Sequence, residues 1–129
     1  MADKIKIGII GAGNIAQSAH IPAYLAQDDV ELYAVYDINN SRAKEVADKF
    51  GFKYAVGSLE ELVSMEELDA VSVCTWNDGH KDAVIAAANA GKHILCEKPM
   101  AMTVAETEAM AEAVRKNNVI FMMGFVNRF

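Results

Sequence analysis

"GIIGAGNIAQ", residues 8–17, joins an apolar β-branched run to a segment with helical spacing through a turn of small residues. Gly11, Gly13 and Ala16 fit the G-x-G-x-x-G/A pattern. Each position has a physical job. Gly11 permits a tight turn off the strand. Gly13 has no Cβ to obstruct a pyrophosphate approaching the backbone, and Ala16 is small enough for the following helix to lie close on the strand. Asn14 and Ile15 then offer backbone N–H groups at a positive helix end. Alone the pattern is weak, because glycine turns after strands are common; its weight comes from the chain on either side.

On both sides, apolar β-rich runs alternate with helical patterns. Strands are predicted at 4–10, 30–36, 52–56, 69–75, 92–97 and 119–124, and helices near 14–27, 40–50, 59–66, 79–90 and 103–117. Strict alternation implies right-handed βαβ crossovers and an α/β fold, a doubly wound parallel sheet with both faces covered. Ser58 with Glu61 and Thr103 with Glu106 fit capping boxes. Gly51 and Gly91 fall where helices end in a left-handed residue. Pro22 interrupts the first helical pattern, which predicts a kink or break near His20.

Asp37 ends the second predicted strand, about 20 residues beyond Ala16, the offset at which a carboxylate meets an adenosine ribose. A carboxylate there accepts from ribose hydroxyls and repels a 2′-phosphate, which favours NAD and leaves NADP possible. Arg42 lies close enough to accommodate that phosphate or stack on adenine, or it is a solvated helix residue. S-adenosylmethionine enzymes also combine a glycine loop with an acid, so these residues do not by themselves prove a nicotinamide.

Composition narrows the classes. The 129 residues are 53% hydrophobic and 23% charged, enough for one packed domain. A formal net charge of −6 with no basic cluster argues against nucleic acid or an anionic membrane as partner. No segment reaches the ~18 consecutive apolar residues of a membrane span, and no signal peptide follows from the N-terminal run; a cytoplasmic protein is expected. Cys74 and Cys96 have no metal-ligand spacing and read as buried thiols, and no metal site is expected.

The stretch "CTWNDGHKDAVIAAANAGKHILCEKPMA", residues 74–101, is more specific. It resembles the family of glucose–fructose oxidoreductase, inositol dehydrogenase and MocA proteins, which carry T-P-N-x-x-H after the fourth strand and E-K-P after the fifth. This chain reads Thr75-Trp76-Asn77-Asp78-Gly79-His80 and Glu97-Lys98-Pro99, with Trp76 in place of the proline. The glycine loop and Asp37 match as well. The resemblance implies that residues 1–129 form an NAD(P)-binding Rossmann domain of strand order 3-2-1-4-5-6. It also implies that the family's C-terminal domain, with its catalytic histidine and much of the substrate pocket, is absent from this chain.

In such a sheet, ligands lie outside the carboxyl ends of the strands, so the charged tip of "HILCE" meets the crevice. Lys98 is then the expected catalytic residue, donating to the nicotinamide ribose and to the reacting oxygen as its proton leaves. Glu97 is expected to pair with Lys98 or the ribose, and Pro99 to fix the turn. Thr75, Trp76, Asn77 and His80 complete the cofactor-binding set, with Asn77 or His80 alternatively serving the start of the helix at 79–90. His20 reaches the pyrophosphate side or packs in a loop. His93 is expected to be structural, and Arg128 to lie near the substrate of a longer protein.

The implied function is hydride transfer between nicotinamide and a sugar, cyclitol or related polyol, with this chain binding cofactor without turnover. The alternative is a non-catalytic dinucleotide-sensing regulator of the same family. A full-length homo-oligomer is expected, and the apolar end "VIFMMGFVNRF" favours association of the chain.

Overall fold

A computed structural model describes residues 3–75, 79–98 and 103–124. Six parallel strands, β1 (Ile5–Ile10), β2 (Val30–Tyr36), β3 (Tyr54–Val56), β4 (Ala70–Val73), β5 (His93–Glu97) and β6 (Phe121–Gly124), form one sheet in the order β3-β2-β1-β4-β5-β6. The helices are α1 (Ile21–Leu25), α2 (Asn40–Phe50), α3 (Leu59–Val63), α4 (His80–Asn89) and α5 (Val104–Asn117). The expected α/β architecture and strand order are those of the structure.

Two cores explain why the sheet is covered on both sides. Ile7, Ile9, Leu32 and Val35 point to the face that meets Ile21, Val46 and Phe52. Ile10, Tyr33, Ala34, Val71 and Val73 point to the other, against Leu62, Val84, Ala87 and Met110. Each fully buried Ile, Leu or Val contributes about 1.5–3 kcal/mol, so neither face is dispensable. The alternation along β2 breaks at Tyr33 and Ala34, where the pairing register with β1 shifts between Ile7 and Gly8. One extra residue in β2 turns Leu32 and Val35 to the same face, as a bulge does.

The observed bounds differ from the predicted ones for local reasons. Helix α2 spans 40–50 as expected and is capped by the Asn39 side chain, which accepts from the Arg42 N–H. Gly51 then takes a left-handed φ of 84°, and the Phe52 N–H donates to the Ala47 carbonyl at 3.0 Å. That amide is used by the helix end, so β3 begins at Tyr54 rather than at 52. Ser58 and Thr103 cap α3 and α5 through the N–H groups of Glu61 and Glu106. Asn118, at φ 55°, ends α5, and β6 starts at Phe121 rather than 119.

Helix α3 is shorter than predicted, ending at Val63. Ser64 closes it, its hydroxyl donating to the Glu60 carbonyl at 2.6 Å; downstream, the Lys92 ammonium donates to the carbonyls of Met65 at 2.7 Å and Leu68 at 2.9 Å. Near Pro22 the helical segment changes its turn rather than ending. Residues Ala16–His20 form a π turn, with the Ile21 N–H donating to the Ala16 carbonyl five residues back. A proline ring at position 22 would collide with the Ser18 carbonyl of a regular α-helix; the wider turn relieves that contact and α1 continues.

Candidate active site

The register lines up the strand tips. Ile10 pairs with both Tyr36 and Val73, and Val73 pairs with Cys96. The next residues, Gly11, Asp37, Cys74 and Glu97, therefore form one row along the carboxyl edge. Backbone bonds extend the pairing into that row: the Gly11 N–H donates to the Tyr36 carbonyl at 2.8 Å and the Cys74 N–H to the Ile10 carbonyl at 2.7 Å. Between β1 and β4 the strand order reverses, the position at which such sheets open a crevice.

The glycine loop is built for close approach. Gly11 has φ +96°, and a Cβ there would lie 2.8 Å from the backbone of Cys74 and Thr75. A Cβ at Gly13 would meet nothing within 4 Å, so that position faces open space. Ala16, the first residue of the π turn, is fully buried. The loop is also fastened: the Gln17 side chain donates to the Ala12 carbonyl at 2.8 Å and the Ser18 hydroxyl to the Asn14 carbonyl at 2.7 Å.

Asp37 is buried at the tip of β2. Its Oδ2 accepts from the Ala12 N–H at 2.7 Å and its Oδ1 from the Asn39 N–H at 2.8 Å. The carboxylate thus ties the glycine loop to β2 while retaining acceptor capacity on both oxygens. Arg42 is half-exposed, its Nη1 3.9 Å from Asp37 Oδ2. Beyond Tyr36, a cavity of about 450 Å³ opens between the starts of α3 and α4, with Tyr36, Leu59, Ile85 and Ala86 as apolar lining and Glu60 and Asp82 at its polar side.

At the tip of β4, Thr75 Oγ1 is buried without a hydrogen-bond partner among the described residues. Such a group costs about 1–3 kcal/mol until something satisfies it. His80 starts α4 fully buried, and its Nε2 donates to the Thr75 carbonyl at 3.1 Å. Gly79 lets the helix approach this tip, since a Cβ there would sit 3.0 Å from Thr75 Oγ1. Burial raises the Cys74 thiol well above its ordinary range, with the Glu97 carboxylate adding to the effect; the same causes raise Cys96 to about 12. Both are thereby held in the protonated form near neutrality.

At the tip of β5, Glu97 does not pair with Lys98, one of its two expected partners. It is buried, and its Oε1 lies 2.6 Å from His20 Nε2 rather than against Lys98. The proximity of position 20 to position 97 depends on the crossover packing and leaves no local signature. Lys98 follows β5 and is exposed. Sequence reasoning also missed the Tyr24 hydroxyl on buried Ser72 Oγ, which fastens α1 to β4. His93 accepts from the Ile120 N–H at 3.0 Å, a structural contact at the start of β5. Trp76, Asn77, Pro99 and Arg128, each given a role from the sequence, lie outside the described residues. Among the described residues, no group of three or more His, Cys, Asp or Glu is placed to hold a metal ion. None of the described helices is long and apolar enough to cross a membrane.

A parallel sheet of this order, with a glycine loop at its reversal point and an acid at the end of β2, defines a dinucleotide-binding Rossmann domain. Residues 5–125 match the model of the GFO/IDH/MocA oxidoreductase family, NAD-binding Rossmann fold. The chain belongs to that family.

Among curated relatives it is 38% identical over 125 residues to a myo-inositol 2-dehydrogenase of Thermotoga maritima, covering 97% of this chain and 37% of that protein. It is 34% identical to a D-glucoside 3-dehydrogenase of Escherichia coli, covering 97% and 36%. A 3-ketoreductase from Actinomadura kijaniata, crystallised with NADP, superposes with a TM-score of 0.88 at 29% identity, covering 95% of this chain and 38% of that one. The chain thus spans little more than a third of the length of these relatives. It corresponds to the NAD(P)-binding domain of a family that includes sugar and inositol dehydrogenases.

Proposed function

We propose that the chain is the cofactor-binding part of an oxidoreductase that moves hydride between a nicotinamide and a sugar, cyclitol or related polyol, and that it prefers NAD to NADP. The observation that carries this reading is the shared carboxyl edge: the glycine loop, the Asp37 carboxylate and the tip bearing Lys98 stand on one row of strand ends.

The residues fit a dinucleotide. The open space at Gly13 admits a pyrophosphate to the amides of Asn14 and Ile15. Asp37 accepts the adenosine ribose hydroxyls, and the cavity beside Tyr36 takes the flat adenine base. Thr75 Oγ1, without a partner among the described residues, gains one. His80 acts through the Thr75 carbonyl it holds. A bound nicotinamide supplies the hydride acceptor or donor. Lys98 donates a hydrogen bond to the substrate's reacting oxygen and stabilises that oxygen as its proton leaves. A second phosphate on the ribose would meet the Asp37 carboxylate, and the half-exposed Arg42 offsets only part of that repulsion.

Calorimetric titration with NADH tests the reading. We expect saturable binding that Asp37→Ala weakens about tenfold or more, in keeping with the loss of hydrogen bonds to a charged acceptor, while discrimination against NADPH narrows. No detectable binding by the wild-type chain at millimolar cofactor would contradict it. The 129-residue chain is expected to bind without turnover; NADH formation from NAD and any member of a polyol panel would overturn that part.

A further inference from the structure

His20 and Glu97 form a buried pair of titratable side chains whose mutual contact the cofactor reading does not use. Their side chains are 6% and 11% exposed, and His20 Nε2 meets Glu97 Oε1 at 2.6 Å. They come from opposite ends of the site. His20 closes the π turn that grows out of the glycine loop. Glu97 is the last residue of β5, immediately before Lys98.

We propose that His20 is a positioning residue: by holding the Glu97 carboxyl, it fixes the strand end from which Lys98 leaves the sheet, and so links the diphosphate end of the site to its redox end. The inference rests on the cofactor reading above.

Three observations support it. A buried carboxyl group without a partner costs several kcal/mol or gives up its charge. An apolar pair of similar volume would stabilise the fold at least as well, so the pair is better explained by the geometry it imposes than by stability. Glu97 pairs with Gly124 at the last rung between β5 and β6, so ladder bonds hold the strand up to this residue and the side-chain bond holds its tip. The π turn then determines how the ring reaches that tip. Pro22 enforces the turn, the Ile21 N–H closes it on the Ala16 carbonyl, and the ring of its last residue is directed inward. Widened turns of this kind recur at functional sites.

The test separates the two ends of the site with two ligands. NADH spans both; ADP carries only the adenosine and diphosphate. His20→Leu removes the bond. His20→Gln retains an N–H donor at the reach of Nε2, whereas His20→Asn is polar but too short to meet Glu97. We expect His20→Leu and His20→Asn to weaken NADH binding about fivefold or more while ADP binding stays within about twofold of wild type, and His20→Gln to restore NADH binding to within about twofold. If His20→Leu does not fold, the contrast between Gln and Asn decides the matter alone.

Parallel loss of NADH and ADP binding in the Asn variant would show a merely structural role and overturn the inference. So would NADH binding that is unchanged in Asn, or equally weakened in Gln and Asn. A wild-type chain that binds neither ligand overturns the cofactor reading itself, an outcome distinct from any of these.

Discussion

Gly11 and Gly13 stand two residues apart in one loop and do different work. At Gly11 the backbone takes φ +96° and β4 lies where a side chain would go. Left-handed backbone costs a residue with a Cβ about 1–2 kcal/mol before any clash. Gly11→Ala should therefore lower stability in urea by more than about 2 kcal/mol, because the atoms it meets are backbone and do not yield. Gly13→Ala meets nothing, so its stability should stay within about 0.5–1 kcal/mol of wild type while NADH affinity falls. Equal stability losses in the two variants would contradict this division. The sequence pattern already gave the two glycines separate jobs; that a Cβ at Gly11 would meet backbone follows from where β4 ends.

Lys92 shows how one side chain holds the segment that follows an element. Its ammonium donates to the carbonyls of Met65 and Leu68, beyond the end of α3; the Met65 carbonyl also accepts from the Leu68 N–H at 3.2 Å, and burial pulls the lysine pKa below its ordinary value. Lys92→Met keeps the aliphatic length and removes both bonds. We expect a loss of about 1–3 kcal/mol, the cost of leaving the Leu68 carbonyl without its donor, read as a lower urea midpoint with an unchanged slope. A midpoint equal to wild type would show that these carbonyls have other means of satisfaction.

The same site explains what periodicity leaves out. The pattern of apolar residues runs on through Met65, so a helix over 59–66 is the natural reading; the chain beyond the Ser64 cap is held instead by a lysine 27 positions away. Helix α2, by contrast, is capped by its own neighbours, Asn39 and Gly51, and its bounds were legible in full. Short-range chemistry can be read from the sequence. Contacts brought together by the crossovers, such as His20 with Glu97 or Tyr24 with Ser72, cannot.

Across the whole molecule, the doubly wound topology makes the two edges of the sheet unlike. The carboxyl edge gathers the glycine loop, Asp37, Thr75 and the Glu97–Lys98 tip. The amino edge carries structural contacts: Asp69 accepts from the Lys6 N–H at 2.8 Å, and His93 from the Ile120 N–H. A ligand assigned to the first edge should leave the second unaffected. The most direct test is to add NAD in steps to isotope-labelled chain and follow each backbone amide by nuclear magnetic resonance. The account predicts saturating shifts at Gly11 to Ile15, Asp37, Thr75, Glu97 and Lys98, with Lys6, Asp69 and His93 unmoved. Shifts centred on the amino edge, or none at millimolar NAD, would contradict it.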